Sequence, residues 1–249
     1  MLDTILLAGG YATRLYPLTL DRPKALLPVG SKVILDHIVD ALERSEQIGR
    51  LFLITNDKFA RQLGHWAAGR TWERPIQILN DGTNSNRNRL GAIGDIRFAL
   101  DNSDISTEQG VFVVGTDNLA QFDITEVVRQ SEQRRASAVF AVRMSDAARL
   151  MRMGVVLLGE DDRVLEFEEK PTSPKSDRGV PPFYAYGPEA VLLLREYLDG
   201  GGNPDAPGHF IEWLVHKTPV YACRTDEMVF DMGTPESYEA TRQWYEGRR

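Results

Sequence analysis

Through its first 142 residues the chain repeats a pattern that few architectures can satisfy: a short apolar run rich in β-formers, a turn, then an amphipathic stretch of helix length. The runs are Thr4–Ala8, Leu51–Thr55, Ile76–Asn80, Val111–Thr116 and Ser137–Val142; between them lie Val33–Arg44, Asp57–Ala67, Leu90–Leu100 and Ile124–Glu132. Runs this apolar are strands covered on both faces, and each intervening stretch is long enough for the crossover that parallel neighbours require. The pattern predicts βαβ units feeding a mostly parallel sheet, a Rossmann-like three-layer α/β/α fold.

After Val142 the rhythm changes. Val155–Leu158 and Val164–Glu168 flank Gly159-Glu160-Asp161-Asp162-Arg163, which reads as a β-hairpin rather than a crossover. Phe183–Tyr186 resumes an extended pattern after a proline-rich stretch, a helix opens at Pro188, and Gly200-Gly201-Gly202-Asn203-Pro204 is a strong loop signal. A helix near Phe210–His216, a strand at Val220–Arg224 and a last helix from Pro235, capped by Thr234, complete the pattern.

Composition narrows the function classes. Lys and Arg total 29 against 36 Asp and Glu, a formal charge of −7, which argues against a nucleic-acid partner held by phosphate neutralisation. Cys223 is the single cysteine, so no internal disulfide forms, as expected of a reducing compartment. No apolar run reaches the ~18 residues of a membrane span. Met1-Leu2-Asp3-Thr4 carries no basic leader, and a cytoplasmic location is expected.

Chemistry concentrates in four places. The first strand runs into Leu7-Ala8-Gly9-Gly10, where two glycines let backbone N–H groups approach phosphate oxygens, and Arg14 and Lys24 follow at a spacing that can clamp one polyphosphate. Alone, the pair of glycines reads equally as a tight turn. It fits neither the dinucleotide fingerprint nor the P-loop. Asp117 follows a core strand at the sheet edge where open α/β folds bind ligands. Asp231 stands beside a turn glycine and the capped last helix, and two separated carboxylates suffice for a Mg2+ ion completed by water and phosphate. Glu169 and Lys170 end the hairpin. Asp81, Asn84, Asn86 and Arg89 form a polar set that either reaches base, ribose or phosphate or simply builds an Asn-rich surface loop.

The string from Leu7 to Gly30, Leu-Ala-Gly-Gly-x-x-Thr-Arg-Leu-x-Pro-Leu-Thr followed by Pro-Lys-x-Leu-Leu-Pro-Val-Gly, closely resembles the opening signature of the sugar-1-phosphate nucleotidyltransferases, the NDP-sugar pyrophosphorylases. Gly115-Thr116-Asp117-Asn118 and Phe230-Asp231-Met232-Gly233-Thr234-Pro235 are similar to that family's metal motifs, with Thr116 interposed and Phe230 where tryptophan is common. Phe167-Glu168-Glu169-Lys170-Pro171 and Met153-Gly154-Val155-Val156 are similar to its sugar-side motifs, with Met153 in place of an aromatic.

The resemblance implies transfer of a nucleotidyl group from an NTP to a sugar-1-phosphate, giving an NDP-sugar and pyrophosphate with Mg2+ as cofactor. It implies catalytic roles for Arg14 and Lys24, nucleotide contacts from Leu7, Ala8, Gly9, Gly10, Asp81, Gly91 and Asp117, and acceptor contacts from Gly154, Glu169, Lys170 and Tyr184. Asp117 and Asp231 would hold the metal. A single catalytic domain is expected across 1–249, with 1–142 mainly nucleotide-binding and 143–249 mainly acceptor-binding, the hairpin included. Pro182 replaces a family glycine, so a cyclitol phosphate or a phosphonate stands as an alternative acceptor. A non-catalytic nucleotide-sugar sensor on the same fold is a further alternative. The partners expected are an NTP and a phosphorylated small molecule, without nucleic acid or membrane; a homo-oligomer is compatible with the sequence.

Overall fold

The computed structural model describes residues 1–69 and 71–247. Its first half holds β1 (Leu2–Ala8), the short hairpin β2 (Pro28–Val29) and β3 (Lys32–Val33), α1 (Ile34–Glu43), β4 (Ile48–Thr55), α2 (Ala60–Ala68), β5 (Ile76–Asn80), α3 (Ala92–Asn102) and β6 (Val111–Gly115). Next come β7 (Asn118–Ala120), α4 (Glu126–Arg134), β8 (Ser137–Arg143), the one-turn α5 (Ala147–Leu150), β9 (Gly154–Leu158), β10 (Val164–Glu169), β11 (Arg178–Val180) and β12 (Phe183–Tyr186). The chain closes with α6 (Pro188–Asp199), α7 (Pro207–Leu214), β13 (Val220–Thr225), β14 (Val229–Asp231) and α8 (Pro235–Glu246).

Ten strands form one sheet. β5, β4, β1 and β6 are parallel neighbours; β12 lies antiparallel between β6 and β8, and β13 runs parallel to β8. Alternation of side chains along each strand builds two cores, one on each face. On β6, Phe112 and Val114 enter one core with α1, α2 and α4, while Val111 and Val113 enter the other with α3, α6 and α7. Each such fully buried side chain contributes roughly 1.5–3 kcal/mol. A charge at Phe112 would therefore break the centre of the sheet.

The five expected strands of the first half all form. One difference in neighbours matters: β8 runs in the direction of β6 but is not bonded to it, because β12 returns and slots between them. Apolar periodicity reports burial of both faces and says nothing about which strand lies alongside. The expected hairpin forms as β9 and β10 and joins the sheet through β11. Helix α2 begins at Ala60 rather than Asp57, because a turn closed by Phe59 N donating to Asn56 Oδ1 (3.2 Å) occupies the preceding residues. Helix α7 spans Pro207–Leu214, earlier than the expected Phe210–His216, with proline in its first turn. Among the described residues no helix is long and apolar enough to cross a membrane.

Candidate active site

The strands β1, β4, β5 and β6 end at one edge of the sheet, and the loops leaving β1, β5 and β6 wall a cavity of about 1100 Å³. Every residue given a catalytic, nucleotide, acceptor or metal role above lines this cavity except Asp81, which stands half-buried behind Gly9.

The first wall is the Gly9-Gly10 turn. Asn56 Nδ2 donates to the Gly9 carbonyl (2.9 Å) and pins the loop to the end of β4. A Cβ on Gly9 would stand 2.5 Å from Asp95 Oδ2, whereas one on Gly10 would meet nothing within 4 Å. Gly9 is thus needed for packing, and Gly10 leaves backbone open to a ligand. Ala12 takes a left-handed conformation (φ 47°), steadied by Thr19 Oγ1 donating to its carbonyl (2.8 Å). The turn that follows carries Arg14, exposed at the cavity, and the turn at 24–26 carries Lys24 inward.

Lys24 Nζ lies 3.0 Å from Asp117 Oδ2, and Asn118 Nδ2 donates to Asp117 Oδ1 (2.8 Å). Burial opposes ionisation of Asp117, but Lys24, Asn118 and Arg14 outweigh it and hold the carboxyl below the usual carboxylate range. Asp231 arrives through tertiary pairing. β14 runs antiparallel to β7 with Asp231 opposite Asn118, and Met232 N donates to the Asp117 carbonyl (3.1 Å). Thr234 Oγ1 caps α8 by accepting from Ser237 N (3.2 Å), so the Asp231 carboxylate is not spent on the cap. Crowding by protein and then the charge of Asp117 push the Asp231 carboxyl up, against the pull of Lys24, Arg149 and Arg14. No group of three or more His, Cys, Asp or Glu able to hold a metal exists among the described residues, so a cation here would rest on these two carboxylates.

The opposite wall comes from the hairpin and β12. A Cβ on Gly154 would reach within 2.3 Å of the Phe167 ring, and one on Gly208 would stand 1.8 Å from Glu169 Oε2. These glycines let β9 and α7 close around Glu169, whose side chain is only 6% exposed and whose Oε1 is 3.2 Å from Lys170 Nζ. Lys170 itself is left-handed (φ 52°), its N–H donating to the Met153 carbonyl (3.1 Å). Such a conformation costs a non-glycine residue about 1–2 kcal/mol and turns the ammonium toward the cavity. Tyr184 is buried on β12, and burial followed by the nearby Glu169 charge pushes its phenol well up.

Gly91 lines the cavity and is also needed for packing. It is left-handed (φ 80°), and a Cβ there would lie 2.5 Å from the Pro204 carbonyl oxygen. Ile93 N donates to that oxygen (2.9 Å), so the Gly200–Asp205 loop seats on the start of α3. Arg89 is bound bidentately by Asp205 (2.9 and 3.0 Å), while Asn88 ties Ser85 and Asn84 together. The Asn-rich segment is therefore a self-braced loop.

Three cavity residues escaped the sequence reasoning. Asp95, 6% exposed in the first turn of α3, has its carboxyl pushed up to about 8 by burial and then by the charge and hydrogen bond of Asp81. Arg149 donates to the Val229 carbonyl, bracing the strand that carries Asp231. Arg152 follows it one turn later. Asp146 caps α5 by accepting from Ala148 N (2.9 Å) and Arg149 N (3.3 Å), and an Asp-capped turn with arginines three apart is a signal that could have located both cations.

Residues 3–247 match the nucleotidyl transferase family. The chain belongs to that family. It is 29% identical over 245 residues to a Sulfolobus acidocaldarius protein named as a mannose-1-phosphate guanyltransferase, covering 96% of this chain and 61% of that one. It is 25% identical over 245 residues to a UTP–glucose-1-phosphate uridylyltransferase of Haloferax volcanii, covering 97% of this chain and 96% of that one. It also matches several glucose-1-phosphate adenylyltransferases, and it spans about three fifths of the length of the first relatives it matches. A UDP-glucose pyrophosphorylase solved with UDP-glucose superposes with a TM-score of 0.82 over 100% of both chains at 16% identity, which establishes the shared fold. Its Rossmann-like α/β sandwich is the fold of this chain.

Proposed function

We propose that this protein transfers a nucleotidyl group from an NTP to the phosphate of a sugar-1-phosphate, releasing pyrophosphate. The observation that carries this reading is the convergence, in one cavity, of the Lys24–Asp117 pair and Asp231 between an anion-receptive wall (Gly10, Arg14) and an acceptor wall (Glu169, Lys170, Tyr184). The acceptor phosphate is already a nucleophile. No protein nucleophile is needed, and the protein's work is positioning and charge stabilisation.

In this reading Arg14 and Lys24 bind the phosphates that leave, and Lys24 meets the charge that develops on the bridging oxygen. Lys170 aims the acceptor phosphate, and Glu169 with Tyr184 accepts and donates to acceptor hydroxyls. The residues fit a Mg2+ ion: Asp117 and Asp231 are adjacent, the second is pushed up by the charge of the first, and two carboxylates leave room for phosphate oxygens and water. When bound there, the ion would neutralise phosphate charge and lower the repulsion between the two substrates.

Cyclitol phosphates and phosphonates remain in the acceptor panel because Pro182 forms part of the acceptor wall. The test is a matrix of nucleoside triphosphates against phosphorylated acceptors with Mg2+, read by pyrophosphate release. Release that requires both substrates is expected. Its absence with every pair, alongside retained nucleotide binding, would favour the sensor reading and overturn this one.

A further inference from the structure

Phosphate and metal chemistry leave Asp81 and Asp95 unexplained. Asp95 stands in the first turn of α3 and lines the cavity, while Asp81 follows β5 behind the Gly9 turn. Asp95 Oδ2 lies 2.5 Å, and Asp81 Oδ2 3.5 Å, from the point a Gly9 Cβ would occupy, so both carboxyls reach the back of the turn and hydrogen-bond to one another there. Asp95 is 6% exposed, and its Oδ1 is buried without a hydrogen-bond partner. Gly10 presents open backbone on the cavity side of the same turn, and Asn56 Nδ2 fixes the turn by donating to the Gly9 carbonyl (2.9 Å). The two carboxyls are thus packed directly beneath the wall that receives anions.

The groups around the pair decide its protonation. Among the described residues no Lys or Arg forms an ion pair with Asp81 or Asp95, and Arg89, on the loop leading into α3, is held by Asp205. Asp57, after β4, brings further negative charge, and Tyr11, after the Gly9-Gly10 turn, stays neutral because burial pushes its phenol up. Thr83 N donates to Asp81 Oδ1 (2.6 Å) and leaves its other oxygen to face Asp95. The start of α3 on its own favours an ionised Asp95. Burial and then Asp81 outweigh that preference and hold the Asp95 carboxyl up to about 8. At neutral pH one proton therefore lies between the two carboxyls, which form a hydrogen-bonded pair instead of two like charges in contact.

We propose that Asp95 is a positioning residue for the Gly9-Gly10 turn: with Asp81 it holds one proton beneath the turn, and loss of that proton weakens the binding of a nucleotide's phosphates in front of it. Two ionised carboxyls would repel one another across the back of Gly9, and their added charge would act on the phosphates through packed protein, where salt screens poorly. By linkage, bound phosphates hold the proton more tightly. Affinity for them is therefore highest below the titration of the pair and falls as pH rises through it. The inference rests on the nucleotidyl-transfer reading only in taking this turn as the seat of the NTP phosphates.

The experiment measures equilibrium binding of inorganic tripolyphosphate, a probe without a base, to the full chain and to its Asp95→Asn variant across the pH range of the titration. The ratio of wild-type to variant affinity cancels the ionisation of the probe itself. It should fall roughly 3- to 10-fold between pH 7 and pH 9, the size expected if bound phosphates raise the titration of the pair by about one pH unit. Asp81→Asn removes the like charge beside Asp95, so its own binding profile should fall at a pH lower than that of the wild type by about one unit, which keeps the test decisive if Asp95→Asn does not fold. A ratio flat within about 2-fold, a fall that Asp81→Asn leaves in place, or no binding of tripolyphosphate at any pH overturns the inference. Pyrophosphate release separates it from the reading it rests on. Turnover with a flat ratio leaves nucleotidyl transfer standing, and a falling ratio without turnover of any substrate pair overturns transfer and leaves the proton-linked turn standing.

Discussion

Replacing Asp95 with asparagine tests whether a proton is buried beneath the Gly9 turn. In the folded chain this carboxyl titrates near about 8, against 3.8 for an unburied aspartate. Between those values the folded state keeps a proton that the unfolded state has released. The contribution of this group to stability is therefore greatest below about pH 4, declines as pH rises through the window, and levels off above about pH 8. The slope is at most about 1.4 kcal/mol per pH unit, so moving from pH 6 to pH 8 costs the wild type up to about 3 kcal/mol through this one group. For a chain of 249 residues that corresponds to roughly 6–12 °C in Tm. The asparagine side chain of the Asp95→Asn variant does not titrate, fits the same space and can still donate to Asp81. The assay is thermal unfolding of both proteins at pH 6, 7, 8 and 9, followed as the difference in Tm, in which all other titrations cancel to first order. The variant should gain on the wild type by several degrees as pH rises. A difference that stays flat within about 2 °C would show that Asp95 is ionised in the fold, and the reasoning from burial and Asp81 would fail.

Four further outcomes follow from the geometry. Lys24→Met removes the cation 3.0 Å from Asp117 and should lower kcat/KM roughly 100- to 1000-fold, with the acid limb of the pH–rate profile shifting upward as only Asn118 and Arg14 are left to oppose the burial of Asp117. Gly91→Ala forces a Cβ into the Pro204 carbonyl at a left-handed position and should cost about 2–4 kcal/mol in denaturant unfolding; an unchanged midpoint would contradict the packing of the Gly200–Asp205 loop on α3. Lys170→Gly and Lys170→Ala should raise the acceptor KM alike, but the glycine variant should be more stable by about 1 kcal/mol because it relieves the left-handed backbone. Arg89→Asp and Asp205→Arg should each loosen their exposed pair, and the double swap should recover up to about 1 kcal/mol of coupling in a thermodynamic cycle.

Much of the site was legible because the relevant chemistry is local. Gly9 and Gly10 follow a strand, Thr234 and Pro235 open a helix, and Asp117 ends an apolar run; each is decided by a few neighbouring residues, and each stands where the sequence puts it. The Asn84–Arg89 segment was ambiguous because asparagine suits both ligand contact and loop bracing. The contacts to Ser85, Asn84 and Asp205 that brace it come from tertiary packing and from loop geometry, which residue type does not specify. Asp95 was invisible for a different reason. An aspartate in a first helical turn reads as an ordinary dipole partner, and nothing in its neighbourhood reveals that Asp81 and the back of Gly9 will enclose it.

The sequence by itself determined the βαβ half, the turn glycines, the helix caps and the set of charged side chains available to a site, because period, propensity and capping act within a few residues. The tertiary structure alone decided that β12 would separate β6 from β8, that the β7–β14 ribbon would bring Asp231 beside Asp117, and that Asp81 and Asp95 would share one buried space. Those outcomes depend on strand adjacency and on contacts between distant segments. Hydrophobic period tells which face of an element is buried and leaves open what it is buried against.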